Sequence, residues 1–343
     1  MTNIRDLTIE QLKEAVITLG EPAFRAKQLH DWLWEKHVLD FDQMLNLSKG
    51  LREKLKENYV TQGIEILEFQ QSSDKSQKYI FRLWDGHLVE GVLIPTDTRT
   101  TACISSQVGC SLTCKFCATG YLDLKRNLQH YEIYDQVQLL NKAALEYLDR
   151  PLSNVVYMGM GEPLLNYKNM LRSTEMLISP TGMGMSPRRI TVSTAGIAKM
   201  IKKMGDDGVK FEFALSLHAG NDEKRNKIMP INEHNSLEAL GEALRYFYEK
   251  TETRVTFEYI IFKDLNDSPE DARELAVFAR TIPSKINIIE YNPINEADFM
   301  NTTRKRMDEF VAILEDKGLI VNVRRSRGKD IDGACGQLAL KKR

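Results

Sequence analysis

Three cysteines close together in sequence could act as ligands of one metal centre. Cys110, Cys114 and Cys117 follow the spacing C-x3-C-x2-C in GCSLTCKFCATG, so their thiolates can converge. Soft thiolates favour zinc, copper(I) or an iron–sulfur cluster, but structural zinc usually takes two Cys/His pairs and no second pair is present. A cubane cluster with three cysteine ligands keeps its fourth iron open to a ligand that is not protein. The spacing therefore favours a catalytic [4Fe-4S] cluster over zinc or over purely structural cysteines.

The other two cysteines are isolated, and their local sequences leave their roles open. Cys103 lies in TACISS, which has the pattern of a buried strand where cysteine packs as a small hydrophobic residue. Cys335 lies more than two hundred residues from its nearest cysteine, and Gly333 and Gly336 around it indicate a mobile turn. On this evidence Cys335 could be a packing residue, a ligand or a reactive thiol.

Composition restricts the class of protein. The cysteines are too few and too unevenly spaced for a disulfide scaffold, and the first residues contain no apolar signal segment. No apolar run approaches the ~18 residues that a membrane span requires. We therefore expect a cytoplasmic protein, without membrane association, whose thiols are ligands or redox groups.

The elements that must position these residues are indicated by short apolar runs that alternate with helical segments. Strands alternating with helices predict an α/β protein with a parallel sheet covered by helices, and about six such units suit a partial (β/α)6 barrel. Between the first two runs, Ile133, Val137, Leu140, Ala144 and Leu148 lie on one face of a predicted helix. The runs expected to form strands are TACISS, NVVYMGM, RITVST, FEFALSLH, RVTFEYIIF, KINIIEY and LIVNVR.

Ligands of parallel α/β folds bind beyond the carboxyl ends of the strands, so residues at the ends of these runs are candidate site residues. A single buried Ser, His or Asn more often satisfies the core than binds a ligand. Their common position at strand ends favours the functional interpretation. The candidates are Gly161, Glu162, Ser193, Ser216, Leu217, His218 and Asn292.

The chain before the barrel is expected to form two smaller units. Residues 1–75 have a helical pattern, with Ser48 as a possible N-cap, and are predicted to be an accessory domain, to which the family resemblance given below assigns RNA binding. Asp85 and Gly86 between two β-forming runs predict a hairpin within residues 76–98. Residues 99–343 are then the barrel core, with Cys335 in a loop near its end.

Basic residues are clustered although the net charge is only −1. Each cluster alone is most often a solvated surface. Together on one side of the molecule they would bind phosphates. The clusters are 125–126, 188–189, 224–227, 304–306, 324–329 and 341–343.

The cysteine triplet, with Phe116 before its last cysteine, resembles the signature of the radical S-adenosylmethionine (SAM) superfamily. The resemblance implies a full or partial (β/α) barrel, a [4Fe-4S] cluster held by the triplet, and SAM bound at the open iron. It also implies a 5′-deoxyadenosyl radical and a low-potential electron donor of the flavodoxin or ferredoxin type. Gly161 and Glu162 resemble the superfamily element that holds the amino end of SAM, and the other strand-end candidates would complete the SAM site.

A wider set of motifs resembles the RNA adenine C2-methyltransferases that modify both 23S rRNA and tRNA. The match extends over roughly residues 85–340, and Pro163 favours this branch over related enzymes that methylate adenine C8 for antibiotic resistance. The motifs are ISSQVGCSLTCKFCATG, MGMGEPLLN, SPRRITVSTAG, FALSLHA, MPIN, EYNPIN and DIDGACGQL.

This second resemblance implies roles for the isolated cysteines. One SAM methylates a cysteine matching Cys335, and a second SAM supplies the radical that activates this methyl group for addition to C2. Cys103 matches the cysteine that takes the C2 proton and resolves the protein–RNA thioether by a transient disulfide with Cys335. Glu90 matches a proton acceptor of the family; otherwise it would be an exposed hairpin carboxylate.

The resemblance therefore implies an enzyme that acts on 23S rRNA at the peptidyl transferase centre and on tRNA at the adenosine 3′ of the anticodon. We expect it to be a monomer. Two other interpretations stay open at this stage: a radical SAM enzyme acting on a substrate other than RNA, and a cluster or zinc protein without catalytic activity.

Overall fold

The N-terminal part of the chain is a small helical unit, as its sequence pattern predicts. The computed structural model describes residues 1–340, so the basic cluster at 341–343 lies outside the described residues. Thr8 and Gln11 form a capping box, and the predicted N-cap Ser48 accepts a hydrogen bond from the Leu51 amide. The elements are β1 (Thr2–Asn3), α1 (Ile9–Thr18), α2 (Arg25–His30), a π-helical turn (Asp31–Glu35), α3 (Lys49–Asn58) and β2 (Tyr59–Val60).

The helical stretch ends at Asn58, well before residue 75, because the following residues form a strand. An antiparallel extension contains β3 (Glu65–Gln71), β4 (Gln77–Arg82) and β5 (Leu88–Pro95). The predicted hairpin turn at Asp85–Gly86 joins β4 to β5, with Gly86 at a φ of +83°. The side chains of β3 are largely exposed, so β3 lacks the buried face that would have marked it as a strand.

A parallel sheet of βα units follows and confirms the predicted partial barrel. Within residues 1–340 the sheet order is β14-β13-β12-β11-β10-β9-β6-β5-β4-β3, with β6 and β9–β14 mutually parallel. Each of the seven predicted runs overlaps one of these parallel strands. The elements are β6 (Thr100–Cys103), β7 (Gln107–Val108), β8 (Arg126–Asn127), α4 (His130–Leu148), β9 (Asn154–Tyr157), α5 (Tyr167–Ile178), β10 (Ile190–Thr194), α6 (Ala198–Asp206), β11 (Glu212–Ser216), α7 (Asp222–Ile228), α8 (Leu237–Thr251), β12 (Val255–Ile261), α9 (Pro269–Ala279), β13 (Ser284–Glu290), α10 (Arg304–Asp316) and β14 (Val321–Arg324).

Helix α4 shows why these segments cover the sheet. Ile133, Val137, Leu140 and Ala144 are fully buried on the predicted apolar face, and they belong to the main hydrophobic core. Among residues 1–340, no helix has the length and apolarity that a membrane crossing needs.

A buried ion pair joins the N-terminal unit to α4. Arg5 donates two hydrogen bonds to Asp135, at 2.7 and 2.6 Å, and both side chains have no solvent exposure. His37 contacts the same carboxylate at 2.8 Å, and the Arg5 guanidinium lies 4.6 Å from the centre of the Trp34 ring. These contacts fix the helical unit against the barrel.

Candidate active site

A cavity of about 410 Å³ lies where the parallel strands end, as the fold rule predicts. Its walls bring together the cysteine triplet, the two isolated cysteines and most of the strand-end candidates. The predicted residues in the walls are Cys103, Cys110, Cys114, Cys117, Gly161, Glu162, Ser193, Ser216, His218 and Cys335.

The cysteine triplet lies on a loop whose ends are held together by the pairing of β7 with β8. Burial raises the pKa of Cys110 to about 12 and that of Cys114 well above its usual range. The neighbouring thiols add to the shift at Cys114, so the three sulfur atoms are within electrostatic reach of one another.

The donor set fits an iron–sulfur cluster. Burial of three adjoining thiols disfavours their thiolates, so a cationic partner is needed before all three can act as ligands. No three His, Cys, Asp or Glu side chains of residues 1–340 are arranged to hold a single metal ion. Three thiols around a shared cavity are the donors that a cluster with one open iron requires.

Two glycines after β9 bring the backbone close to the cysteine loop. Gly161 has a φ of +94°, and a Cβ there would lie 2.4 Å from the Cβ of Gln107. A Cβ on Gly159 would lie 2.6 Å from the backbone oxygen of Ile104. Only glycine fits at either position, and the close approach leaves open space in front of the strand end.

Glu162 links the ends of two strands. Its carboxylate accepts hydrogen bonds from the amides of Leu164 at 3.0 Å and Ala195 at 2.8 Å. Burial raises its pKa, although these amide donors act in the opposite direction. The side chain is only 3% exposed yet lines the cavity, so its free lone pairs are available to a ligand there.

Ser193, Ser216 and His218 form the neighbouring wall. The hydroxyl oxygens of the two serines are 3.5 Å apart, and His218 adopts a left-handed backbone with a φ of +58°. Burial lowers the pKa of His218 to about 3, so the ring is neutral. Because its Nδ1 accepts a hydrogen bond from the Ile260 amide at 3.0 Å, the proton resides on Nε2, which is free to act as a donor.

Three predicted residues lie outside these walls. Leu217 is fully buried and hydrogen bonds through its backbone, with its oxygen accepting from Arg225 Nε at 3.0 Å. Asn292 donates a hydrogen bond from Nδ2 to the backbone oxygen of Cys335 at 3.1 Å. Its buried Oδ1 has no hydrogen-bond partner among the described residues, so Asn292 can still accept one donor.

Glu90, the third of these residues, is fully buried rather than exposed on the hairpin. Its Oε1 lies 3.2 Å from Lys78 Nζ, and Lys78 is also buried. Its Oε2 accepts hydrogen bonds from the amides of Ala339 at 2.9 Å and Leu340 at 3.3 Å. Glu90 therefore contacts the segment that contains Cys335, here named the C-terminal loop (residues 325–340).

Cys103 and Cys335, distant in sequence, share the cavity wall as free thiols. Cys103 ends β6 and is 9% exposed; burial, followed by the nearby Cys335, raises its pKa to about 12. Cys335 is accessible from the cavity, but the surrounding protein raises its pKa to about 11. The positive charge of Arg324 acts to lower the pKa of both cysteines, so one guanidinium stabilises the thiolate form of each.

Sequence reasoning missed Arg324 and Glu258 as individual site residues. Both line the cavity, and Arg324 Nη1 lies 3.4 Å from each carboxylate oxygen of Glu258. Glu258 also accepts a hydrogen bond from Asn287 at 2.9 Å. A charged residue inside the apolar run RVTFEYIIF was the available signal for Glu258, whereas Arg324 was hidden within a basic cluster.

Two family models match the chain. Residues 2–60 match the ribosomal RNA large subunit methyltransferase N-terminal domain, and residues 104–276 match the radical SAM superfamily. The chain is 59% identical to the probable dual-specificity RNA methyltransferase RlmN of Cytophaga hutchinsonii, over 98% of this chain and 93% of that protein. It is 41% identical to the dual-specificity RNA methyltransferase RlmN of Marinobacter nauticus, over 98% and 92% respectively.

The chain belongs to the RlmN family of radical SAM RNA methyltransferases. A crystal structure of a radical SAM methyltransferase from Sphaerobacter thermophilus is similar throughout, with a TM-score of 0.92 and 38% identity. The match covers 98% of this chain and 99% of that one. The predictions of an α/β radical SAM barrel and of a methyltransferase are therefore confirmed, and an RlmN-family enzyme requires RNA as its substrate class.

Proposed function

We propose that this RlmN-family enzyme methylates C2 of adenine in 23S rRNA and in tRNA, with Cys335 as the methyl carrier. The observation that supports this most directly is the shared cavity: Cys335 and Cys103 line it together with the cysteine triplet. A methyl carrier and a second thiol that resolves its adduct account for both of these further cysteines.

The residues around the cavity fit a cluster and SAM. Cys110, Cys114 and Cys117 would hold a [4Fe-4S] cluster, while Gly161 and Glu162 would receive the amino end of SAM. Ser193, Ser216, His218 and Asn292 offer hydroxyl, imidazole and amide groups to the rest of SAM, and Leu217 shapes this wall from behind. When bound, SAM supplies a methyl group or, after one-electron reduction at the cluster, a 5′-deoxyadenosyl radical.

Cys335 and Cys103 perform the covalent chemistry of the chain itself. Cys335 carries the methyl carbon on its sulfur. That carbon would lose one hydrogen atom to the 5′-deoxyadenosyl radical and bond to adenine C2, and the adduct would then return one electron to the cluster and lose the C2 proton. Cys103 then attacks the Cys335 sulfur: an S–S bond forms, the S–C bond breaks, and the product carbon takes the electron pair and a proton. An external thiol must reduce the resulting disulfide before the next turnover. We place this reaction in the cytoplasm, where transient catalytic disulfides are normal.

Cys103 is also proposed to take the C2 proton, and Glu90 stays a candidate proton acceptor. Glu90 is separated from the cavity and is already paired with Lys78 and with two backbone amides. To accept a proton it must give up part of this pairing.

Replacing Glu90 by Gln removes the basicity of the side chain but keeps its shape. Loss of methylation in that variant, with an intact cluster, supports the role of Glu90 as proton acceptor.

RNA is expected to present its adenine unpaired or flipped out of its stack. Arg99, Arg324, Arg325 and Arg327 line the cavity, so cationic side chains are available to neighbouring phosphates. Phosphate contacts predict RNA binding that weakens as the salt concentration rises.

We further propose a monomeric enzyme that receives its electrons from a flavodoxin- or ferredoxin-type donor.

The decisive experiment is mass spectrometry of 23S rRNA and tRNA after reaction with methyl-labelled SAM. We expect label at adenine C2 in both RNAs; label at C8 would instead assign the resistance branch. No label in either RNA, with iron and sulfide bound, would indicate another substrate.

Substitution of the two thiols tests the mechanism. Cys335→Ala should retain the iron–sulfur cluster, because the triplet is unchanged, but should abolish RNA methylation. Cys103→Ala should accumulate a covalent protein–RNA adduct, which gel electrophoresis under denaturing conditions detects. Full activity of Cys335→Ala would exclude the carrier role.

A further inference from the structure

The C-terminal loop contacts the antiparallel extension at a site that the family comparison does not explain. This site is the β3–β4 turn (residues 72–76), which lies far from the loop in sequence and is not part of the cavity wall. The Ser72 hydroxyl donates to Asp330 Oδ1 at 2.5 Å, and the Ser73 amide donates to Asp330 Oδ2 at 3.0 Å.

In a second set of contacts, the C-terminal loop supplies the donors and the β3–β4 turn supplies the acceptors. The amide of Gly328 donates to Asp74 Oδ2 at 2.9 Å, and Arg327 Nη1 donates to the backbone oxygen of Asp74 at 3.3 Å. Each segment thus supplies one carboxylate to amide donors of the other. Hydrogen bonds from amides to a carboxylate are among the stronger ones in proteins.

The β3–β4 turn is built to present these groups. Asp74 Oδ1 accepts from the Ser76 amide at 2.9 Å, which fixes the turn and directs Oδ2 to the loop. Ser72 and Ser76 are 3% and 0% exposed, whereas Asp74 is half-buried and Ser73 and Asp330 are exposed at the surface. Gly328 has a φ of +68° beside Ser76, a conformation that lets the loop backbone turn at this point.

The contact with the β3–β4 turn holds the first part of the C-terminal loop, and other hydrogen bonds hold the residues that follow. The Gly333 amide donates to the Gly328 oxygen at 2.8 Å, so the chain folds back five residues after the turn contact. The amide of Ala118 donates to the Gly336 oxygen at 2.7 Å, next to the cysteine triplet. Cys335 lies between these two points.

We propose that the β3–β4 turn is a positioning element that holds Cys335 at the cavity through Ser72 and Asp74. The inference rests on the proposed carrier role of Cys335, since only a reacting thiol needs so defined a position. It assigns to the antiparallel extension the positioning of the carrier cysteine.

Asp74→Asn is the most selective test. The amide oxygen of Asn can still accept from Ser76 and preserve the turn, but the adjoining NH2 group faces the Gly328 amide, donor against donor. Glu65→Gln is the matched control: it removes one negative charge from β3, where Glu65 pairs with the exposed Arg82. Asp330→Ala removes the contact from the side of the loop and leaves the extension unaltered.

Hydrogen–deuterium exchange of the full-length protein measures the contact directly. Asp74→Asn and Asp330→Ala should speed exchange of the amides in residues 328–338 by about tenfold or more, because local opening loses charge-assisted hydrogen bonds. Exchange in residues 2–60 and in the barrel strands should not change, and Glu65→Gln should resemble the unaltered protein. Exchange within about twofold of the unaltered protein in both loop variants would overturn the proposal.

Steady-state methylation separates positioning of Cys335 from RNA binding. In Asp74→Asn we expect kcat to fall about tenfold or more with KM for RNA unchanged. A misplaced Cys335 thiol slows the chemical step but does not change how RNA binds. A raised KM with unchanged kcat would show that the turn binds RNA and would refute the inference. Failure of the carrier role itself is recognised separately, by activity of Cys335→Ala.

Discussion

The thiol of Cys103, proposed to be reactive, lies in an environment that suppresses its reactivity. It is buried at the end of β6, and its pKa of about 12 reflects lost hydration and the neighbouring Cys335. A thiol that attacks only after the methyl group has been transferred benefits from this suppression, because a premature disulfide would inactivate the carrier. Arg324 supplies the charge that allows the thiolate to form when it is needed.

Alkylation of Cys103 should therefore be slow and strongly dependent on pH. At pH 8 its thiolate fraction is about three orders of magnitude below that of an ordinary thiol of pKa ~8.5. Since the pKa is raised, the fraction increases about tenfold per pH unit throughout pH 7 to 10, where an ordinary thiol already levels off. Iodoacetamide labelling followed by peptide mass spectrometry measures this. A plateau above pH 9 would contradict the raised pKa.

At the residue scale, what could be predicted depended on sequence spacing. The cysteine triplet was identified by its spacing alone, since neighbouring ligands on one loop must share a site. The pairing of Cys103 with Cys335 came only from family resemblance, because nothing local relates residues so far apart. The burial of Glu90 could not be foreseen: it depends on Lys78 across the hairpin and on amides of the C-terminal loop.

At the scale of elements, the segment after β9 carries a strict conformational demand. Gly161 combines a positive φ with a close contact to Gln107 on β7. The two elements can approach only without a side chain, and their approach orients Glu162 through a 2.7 Å hydrogen bond from its amide to Gln107 Oε1.

Gly161→Ala should destabilise the protein by about 1–3 kcal/mol, the usual cost of forcing atoms into an occupied space. It should also weaken SAM binding, because Glu162 shifts with the backbone. Thermal unfolding and calorimetric titration with SAM measure the two effects. Gly184→Ala is the control, since Gly184 also has a positive φ, +62°, but nothing lies within 4 Å of the added carbon. Equal effects of the two variants would mean that backbone strain alone matters.

Elements with a buried face were predicted well, and elements without one were not. Helix α4 and the parallel strands have apolar faces whose period is visible in the sequence. Strand β3 is exposed and depends on its pairing with β4 and on stacking of Phe69 on Tyr79, at 5.4 Å. Such tertiary partners leave no period in the strand itself.

At the scale of the whole molecule, the ion pair of Arg5 with Asp135 joins the N-terminal unit to the barrel. Asp135→Ala should lower the free energy of unfolding by about 3–5 kcal/mol, because Arg5 is left buried without its counter-charge. Urea unfolding measures the change. The exposed pair of Arg82 with Glu65 is the control, for which Glu65→Ala should cost about 0–1 kcal/mol. Similar losses in both variants would argue against a structural joint at Asp135.

The same pair predicts the acid limit of stability. Burial acts to raise the pKa of Asp135, but Arg5 and His37 together outweigh burial and hold the pKa below its ordinary value. The stabilisation is therefore complete above the unfolded pKa of about 4 and is lost as the pH falls through the folded value. The stability difference between Asp135→Asn and the unaltered protein should be constant from pH 6 to 8 and shrink below about pH 4. A difference that persisted unchanged at pH 3 would rule out the charged pair as its source.

The order of strands and helices made the architecture predictable, whereas the relation between the N-terminal unit and the barrel was not. Short parallel strands with intervening helices permit few arrangements of a sheet, so the barrel followed from the sequence. The joint at Arg5 and Asp135 pairs residues 130 positions apart. Neither residue is distinguished from an ordinary surface charge by its neighbours in sequence.

The pairing of β5 with β6 places Val92 opposite Cys103. Glu90 lies two residues before Val92, so its side chain points to the same face of the sheet as Cys103. A slip of one residue between these strands would turn Cys103 to the other face relative to Glu90. In such a misaligned molecule Leu93 and Ala102, which lie opposite each other and are fully buried, could no longer share one face of the core. The register that packs this part of the core therefore also aligns Glu90 with Cys103, so a single strand pairing determines both the stability of the sheet and the geometry of the proposed site.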